Sequence, residues 1–411
     1  MRFGRLRACR IHALRARTVA PRAPRSVRGA RRWSLGAVLT LALCLLPVAA
    51  QADIVPERRR DYEDRLPNEY LIIPAVASLP GFGVFVGVLA SGSNLFNTGM
   101  NFGAGLAESI SGSDIHLQVA ALQEVPIWMR VLTFDYQYGD IKLGNYQAYV
   151  PGRDSPNFTF PVTQEFLFQM VRPTLRLWER RITVSYSLSF ANGFNVDLNG
   201  NEIASRSHGA GANLALDFTD DVVNPVRGMR FEYQTSLTPP SSSFFGTDSD
   251  NSSALLAAGR RRLNSETYTL TGYVPVTERF DLVGDAEYFQ ALGDAGNAIV
   301  RGGSLPLRGY PANRWTDRYG VFGAVEARYT IPLHRPLEIP VLAHGIIEGL
   351  QLATFYEQGQ VSPDKDGKLF TDMHSDYGLG VRIILQAIVV RFDIAVSDEG
   401  PQTALTVNQP F

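Results

Sequence analysis

From about Glu69 onward the chain breaks into segments of roughly ten residues in which apolar and polar positions alternate, the period of a strand with one apolar face. Ile182, Val184, Tyr186, Leu188 and Phe190 alternate with Thr183, Ser185, Ser187 and Ser189. Val321, Val325, Tyr329 and Ile331 alternate with Phe322, Glu326, Arg328 and Thr330, and Ile388, Val390, Phe392, Ile394 and Val396 alternate with Arg391, Asp393 and Ala395. A soluble sandwich alternates too. Here, however, charged positions gather on one face opposite an unbroken apolar face, and aromatic residues crowd the strand ends. That combination predicts an all-β transmembrane antiparallel β-barrel.

Fifteen segments read clearly as strands: 82–91, 97–106, 115–123, 128–138, 165–177, 181–191, 208–218, 228–238, 265–275, 280–290, 320–331, 349–358, 376–385, 388–397 and 403–411. An even number is expected of a bacterial single-chain barrel. Tyr70 to Ser78 supplies a sixteenth, a first strand beside the closing seam. Tight links then fall near Gln123–Val125, Glu179–Arg180, Val276–Glu278 and Leu385–Ala387. Long links fall on the other side, at 139–164, 192–207, 239–264, 291–319 and 359–375, with 332–348 an exception that is long on the short side.

Composition and charge then change two parts of this picture. No segment after residue 52 approaches an apolar run long enough for a membrane helix, which leaves strands as the spanning element. Residues 1–52 hold 11 Arg and no acids; the remainder carries 28 basic against 40 acidic side chains, a net −12. So acidic a chain has no electrostatic footprint for nucleic acid. The short apolar run Leu35 to Val48, its basic approach and Ala50-Gln51-Ala52 read as a signal peptide cut near Ala52. Cys9 and Cys44 both lie inside it, so no thiol chemistry is expected of the exported chain. The expected organisation is 1–52 signal peptide with a long basic extension, 53–68 short periplasmic segment and 69–411 barrel.

The link 291–319 contains Gly302-Gly303-Ser304-Leu305-Pro306-Leu307-Arg308-Gly309-Tyr310. Glu326 and Arg328 follow on the next strand and Glu357 on the one after, all inward by the alternation. Upstream, Asp217-Phe218-Thr219-Asp220-Asp221 and Asn224-Pro225-Val226-Arg227-Gly228 form a turn before another strand. In order and spacing these motifs resemble the BamA/TamA superfamily of outer-membrane assembly and translocation barrels. The shared features are its Arg-Gly-Tyr/Phe sixth loop and its Asp-x-x-Asp…Pro-x-x-Gly periplasmic turn (Asp217, Asp220, Pro225, Gly228). The resemblance implies sixteen strands, the sixth extracellular loop folded into the lumen, and a Gram-negative outer membrane as the location. It also implies that the aromatic residue closing the last strand, Phe411, is the signal read by the barrel-assembly machinery. Family members that fold or secrete proteins carry POTRA domains ahead of the barrel. Between Asp53 and the first strand no such domain fits, so a barrel-only member is expected.

A long loop with Gly and Pro at its centre can fold back into a barrel. There a guanidinium pairs bidentately with carboxylates, which a Lys point charge does less well. Glu326 and Glu357 are the expected partners of Arg308, with Arg328, Arg382, Arg391 and Asp393 projecting into the same lumen. The resembled family usually has Asp where Glu357 stands. Such a network can simply brace the lumen, or it can gate it.

No catalytic site, cofactor or metal is expected. Ser207-His208 and His374-Ser375 lack a third orienting residue. Asp364-Lys365-Asp366-Gly367 begins like a calcium loop but lacks the later acidic ligands. Three functions stay open: a barrel that assists protein or lipid insertion or translocation, a passive loop-plugged pore, and a surface-exposed structural or adhesion protein. Expected partners are outer-membrane lipid, the assembly machinery, and periplasmic partner proteins or a protein cargo.

Overall fold

A computed structural model of the chain describes residues 68–410, apart from 80–82, 111–113, 129–130, 151, 158, 197–201, 239–262, 293–302, 312, 366, 386–388 and 408. The expected signal peptide with its Ala52 cleavage site, residues 53–67 and Phe411 lie outside the described residues.

The strands are β1 (Glu69–Leu79), β2 (Gly83–Leu95), β3 (Met100–Ser109), β4 (Asp114–Trp128), β5 (Leu132–Tyr149), β6 (Thr159–Leu177), β7 (Ile182–Val196), β8 (Glu202–Asp217) and β9 (Gly228–Thr238). They continue with β10 (Leu263–Pro275), β11 (Phe280–Leu292), the two-residue β12 (Gly303–Ser304) and β13 (Thr316–Asp317), β14 (Tyr319–Ile339), β15 (Ala343–Ser362), β16 (His374–Leu385), β17 (Val389–Ser397) and β18 (Gly400–Val407). β1 to β11 and β14 to β18 form one antiparallel sheet of sixteen strands in chain order, while β12 and β13 pair as a small ribbon inside the loop between β11 and β14.

The alternation sorts side chains as expected. Val184, Tyr186, Leu188 and Phe190 are exposed on β7, and Tyr377, Leu379, Val381 and Ile383 on β16. Glu326, Arg328, Gln351, Glu357, Arg382 and Asp393 are buried on the opposite face. No helix among the described residues is long and apolar enough to cross a membrane.

Closure differs from the expected seam between first and last strands. β1 pairs with β15 through Tyr70↔His344 and Leu71↔Ala343. The hydrogen-bonded ring therefore holds thirteen strands, and β16, β17 and β18 continue past it. β18 runs beside β1 without a ladder between them among the described residues. The cause is an arm. β14 leaves its partner β11 at Tyr329↔Phe280 and then pairs with β15 alone as far as Ile339↔Ala343. A bulge between Pro332 and Arg335 re-aims this arm. Its far end reaches β1, where the Ile72 N–H donates to the Leu342 carbonyl at 2.6 Å. The link expected at 332–348 is thus a hairpin with its turn at 340–342.

Other links are also shorter than expected. β5 and β6 extend across most of 139–164, and β7 and β8 across most of 192–207. The tight link expected near Gln123–Val125 is a bulge within β4, with Glu124 at φ 58°. That strand runs on to Trp128. The bulge turns the Glu124 carboxylate onto Arg180 and Arg176, while its N–H donates to Asp135 at 2.8 Å.

Candidate functional site: a caged loop arginine

The loop between β11 and β14 packs against the inner wall before any charge is considered. Leu305, Leu307, Tyr310 and Trp315 form one apolar cluster with Phe289 of β11, Phe322 and Ala324 of β14 and Val361 of β15. Burying four such side chains supplies the driving force that holds the loop against its conformational entropy.

This docking delivers Arg308 to three carboxylates. Its Nε donates to Glu357 Oε1 at 2.7 Å, and its Nη1 donates to Glu326 Oε2 and Asp393 Oδ2, each at 3.1 Å. Its backbone N–H donates to the second oxygen of Glu357 at 2.9 Å. The guanidinium also lies 3.3 Å from the centroid of the Phe355 ring, a cation–π contact. Burial alone would lower the Arg308 pKa; the surrounding carboxylates of Glu357, Glu326 and Asp393 reverse this and raise it well above its ordinary value. Arg308 is therefore a permanent cation in a site built for one.

The other lumen charges form a shell around these acids. Arg328 donates from Nε to Glu326 Oε1 at 2.6 Å, and Arg382 reaches Glu326 Oε2 from Nη2, also at 2.6 Å. Arg391 lies 3.2 Å from Asp393 and donates to Thr406 at 2.8 Å. So among the described residues Glu326 collects three guanidinium groups, Asp393 two, and Glu357 only that of Arg308. The one carboxylate of Glu357 spans both the backbone and the side chain of Arg308.

Gly309 and Tyr310 are fixed separately. The Gly309 N–H donates to Asp376 Oδ2 at 2.8 Å, its carbonyl accepts from Ser397 at 2.7 Å, and a Cβ there would lie 2.5 Å from the Asp376 Cβ. The Tyr310 hydroxyl donates to Asp398 at 2.6 Å; burial, then that carboxylate, pushes its pKa up. Further along, Arg314 binds Glu399 at 2.7 Å and lies over Trp315, whose ring stacks 3.5 Å from that of His374. The His374 Nε2 meets the Arg153 carbonyl at 3.0 Å. Its ring is occupied in packing.

The turn motif lies at the opposite rim, between β8 and β9. Asp217 caps Thr219 through its N–H at 2.9 Å, and Asp220 accepts the Val226 and Arg227 N–H groups at 3.1 and 3.0 Å. Pro225 lies between the two halves of the turn, and Gly228 sits at φ 110° with a Cβ position 2.3 Å from the Phe218 carbonyl. These residues shape the turn, leaving its tip to make outside contacts.

Sequence reasoning assigned no contact inside the barrel to Asp376, Ser397, Asp398 or the tip residue Asn224. Asp376 had a signal, because it shares parity with Arg382 on β16. The stacking of Trp315 on His374 had none. The Arg172–Asp135 and Arg180–Glu124 pairs at the short-turn rim were also unforeseen.

Comparison with solved structures finds this fold in BamA from Haemophilus ducreyi lacking POTRA domains 1–3, at TM-score 0.50 and 9% identity over 84% of this chain and 69% of that one. CdiB from Escherichia coli matches at TM-score 0.50 and 15% identity, and CdiB from Acinetobacter baumannii at 0.50 and 11%, each over 84% of this chain. The match covers 62% and 60% of those two chains. No family model matches, and no curated protein matches. At such identities the likeness concerns the fold alone.

Proposed function

We propose that this chain is an outer-membrane barrel of the BamA/TamA kind that assists insertion or translocation of protein or lipid, with the loop arginine holding its lumen closed. On this reading the outward apolar faces meet lipid, the short turns face the periplasm and the long loops face outward. The observation that carries it is the caged Arg308. A loop long enough to swing free is tied to three different strands through one side chain. The absence of a β1–β18 ladder among the described residues adds a wall that is not sealed by strand pairing along its whole length. The fold shared with BamA and CdiB is consistent with this reading.

Depletion of the protein followed by quantitative proteomics and lipid analysis of the outer membrane tests it. Loss of another barrel, a secreted protein or a lipid is the expected outcome; an unchanged envelope rejects the biogenesis role. The polar inner wall where Asn213, Arg230 and Gln234 gather on Glu232 favours a second reading, a conducting pore. Steady open conductance of the wild-type barrel in planar bilayers would select it.

A further inference from the structure

The β8–β9 turn contacts a wall well away from its own strands. Val223 packs with Ile384 of β16 and Val389 of β17, and Asn224 Oδ1 accepts from Gln351 of β15 at 3.2 Å. In the sheet β10, β11 and β14 separate β9 from β15, so the turn reaches across the mouth of the barrel. The chain end comes to the same place. Gln409, two residues past β18, donates to Asn224 Oδ1 at 3.0 Å and accepts from Arg382 Nη1 at 2.7 Å.

Arg382 connects this assembly to the loop. Its Nη1 also donates to Gln351 Oε1 at 3.0 Å, and its Nη2 meets Glu326 Oε2 at 2.6 Å. That same oxygen accepts from Arg308 at 3.1 Å. A continuous line of contacts therefore runs Arg308–Glu326–Arg382–Gln351/Gln409–Asn224 through the barrel interior. Glu326, Arg382 and Gln351 are fully buried, so each has few other ways to satisfy its polar atoms.

We infer that the outer loop and the β8–β9 turn are two plugs at opposite mouths of the barrel, coupled through Glu326, Arg382 and Gln351. When Arg308 withdraws, Glu326 is left to Arg328 and Arg382 alone. Arg382 is drawn toward the freed carboxylate and away from the two amide oxygens that position Asn224. The turn moves as a body, because its own Asp217 and Asp220 bonds keep its shape. Coupling between sites is reciprocal in equilibrium, so loosening the turn must loosen the loop by the same factor. The inference does not depend on which cargo or solute the barrel serves.

Hydrogen exchange on the full chain reconstituted in phospholipid nanodiscs tests it, read at peptides covering 303–318 and 218–228. Arg308→Ala is expected to speed exchange in both, the distant turn on the order of 10-fold. Asn224→Ala is expected to speed exchange in the loop by a comparable factor. With Gln351→Ala and Gln409→Ala combined, Arg308→Ala should no longer reach the turn. Exchange along β6 and β7 reports whether the barrel remains folded; if Arg308→Ala disturbs it, Arg308→Lys replaces that variant. A loop that loosens while the turn keeps its wild-type exchange, in a folded barrel, overturns the coupling.

Discussion

Replacing Arg308 by Ala removes the only cation on Glu357 among the described residues, and the size of the effect follows from what each acid retains. Glu326 keeps Arg328 and Arg382, and Asp393 keeps Arg391. Glu357, 1% exposed, loses its guanidinium partner and keeps only the backbone N–H at position 308 and the neighbouring carboxyl of Asp376 across the β15–β16 ladder among the described residues. Breaking a buried pair from one side costs about 3–5 kcal/mol. With two of three acids still paired, the low end applies, about 3 kcal/mol. At about 1.4 kcal/mol per decade this shifts the docked-to-undocked ratio of the loop roughly 100-fold. Limited trypsinolysis of the reconstituted barrel, with cleavage followed at Arg314 and Arg318, should accelerate by that factor while opening is fast relative to cleavage. Arg308→Lys keeps the charge but loses the fork and should fall between. Cleavage of Arg308→Ala at the wild-type rate would refute the claim that this residue holds the loop.

Gly309→Ala should release the loop as fully as Arg308→Ala in the same cleavage assay, because the new methyl would meet the Asp376 Cβ at 2.5 Å; Gly272→Ala, with open space, should be silent. Tyr310→Phe should cost about 1 kcal/mol of loop docking, measured as a cleavage-rate ratio. Since the folded Tyr310 pKa is raised, the wild-type advantage is complete below the ordinary tyrosine value near ~10 and declines as pH rises above it. An advantage that grows above ~10 contradicts that sign. Glu124→Gln leaves Arg176 and Arg180 without their carboxylate and should lower unfolding stability by about 1–3 kcal/mol. The fluorescence of Trp128 and Trp178 in a urea titration reads it.

The barrel was legible because period-two alternation leaves no ambiguity about faces. It placed Glu326, Arg382 and Asp393 inward, and Glu326 both meets Arg382 and shares Arg308 with Asp393. Strand ends were less legible where glycine and proline serve packing instead of turning. Gly139 was read as loop, yet it lies within β5 because a Cβ there would meet the Phe168 ring at 2.1 Å. Gly193 stays in β7 for the same reason, against the Glu165 carbonyl at 2.0 Å. The segment 332–348 was read as a link, yet Pro332 and Pro336 lie within β14, because past Tyr329 that edge has left β11 and a missing N–H costs little. The cage was half legible. Arg308, Glu326 and Glu357 could be matched by charge and parity, whereas Asn224 meets Gln351 across 127 residues and Gln409 across 185. No local pattern encodes such neutral contacts.

The placement of the loop contacts bears on the closure of the wall itself. The ring closes through two residue pairs between β1 and β15, so β16, β17 and β18 are held by β15 on one side only. The loop meets these outlying strands repeatedly: Arg308 on Asp393 of β17, Gly309 on Asp376 of β16 and Ser397 of β17, and Tyr310 and Arg314 on the β17–β18 turn residues Asp398 and Glu399. The same loop is anchored on β14 and β15 through Glu326 and Glu357. It therefore bridges from the closed ring to the strands beyond it, bonding from inside where the β1–β18 boundary has no ladder among the described residues. Loop docking and wall closure are consequently not separate properties. A substitution that frees the loop also removes the inward tether of β16 to β18, and exchange of the β18 amides should rise with that of the loop. Unchanged β18 exchange in Arg308→Ala would show that β17 alone holds the last strand.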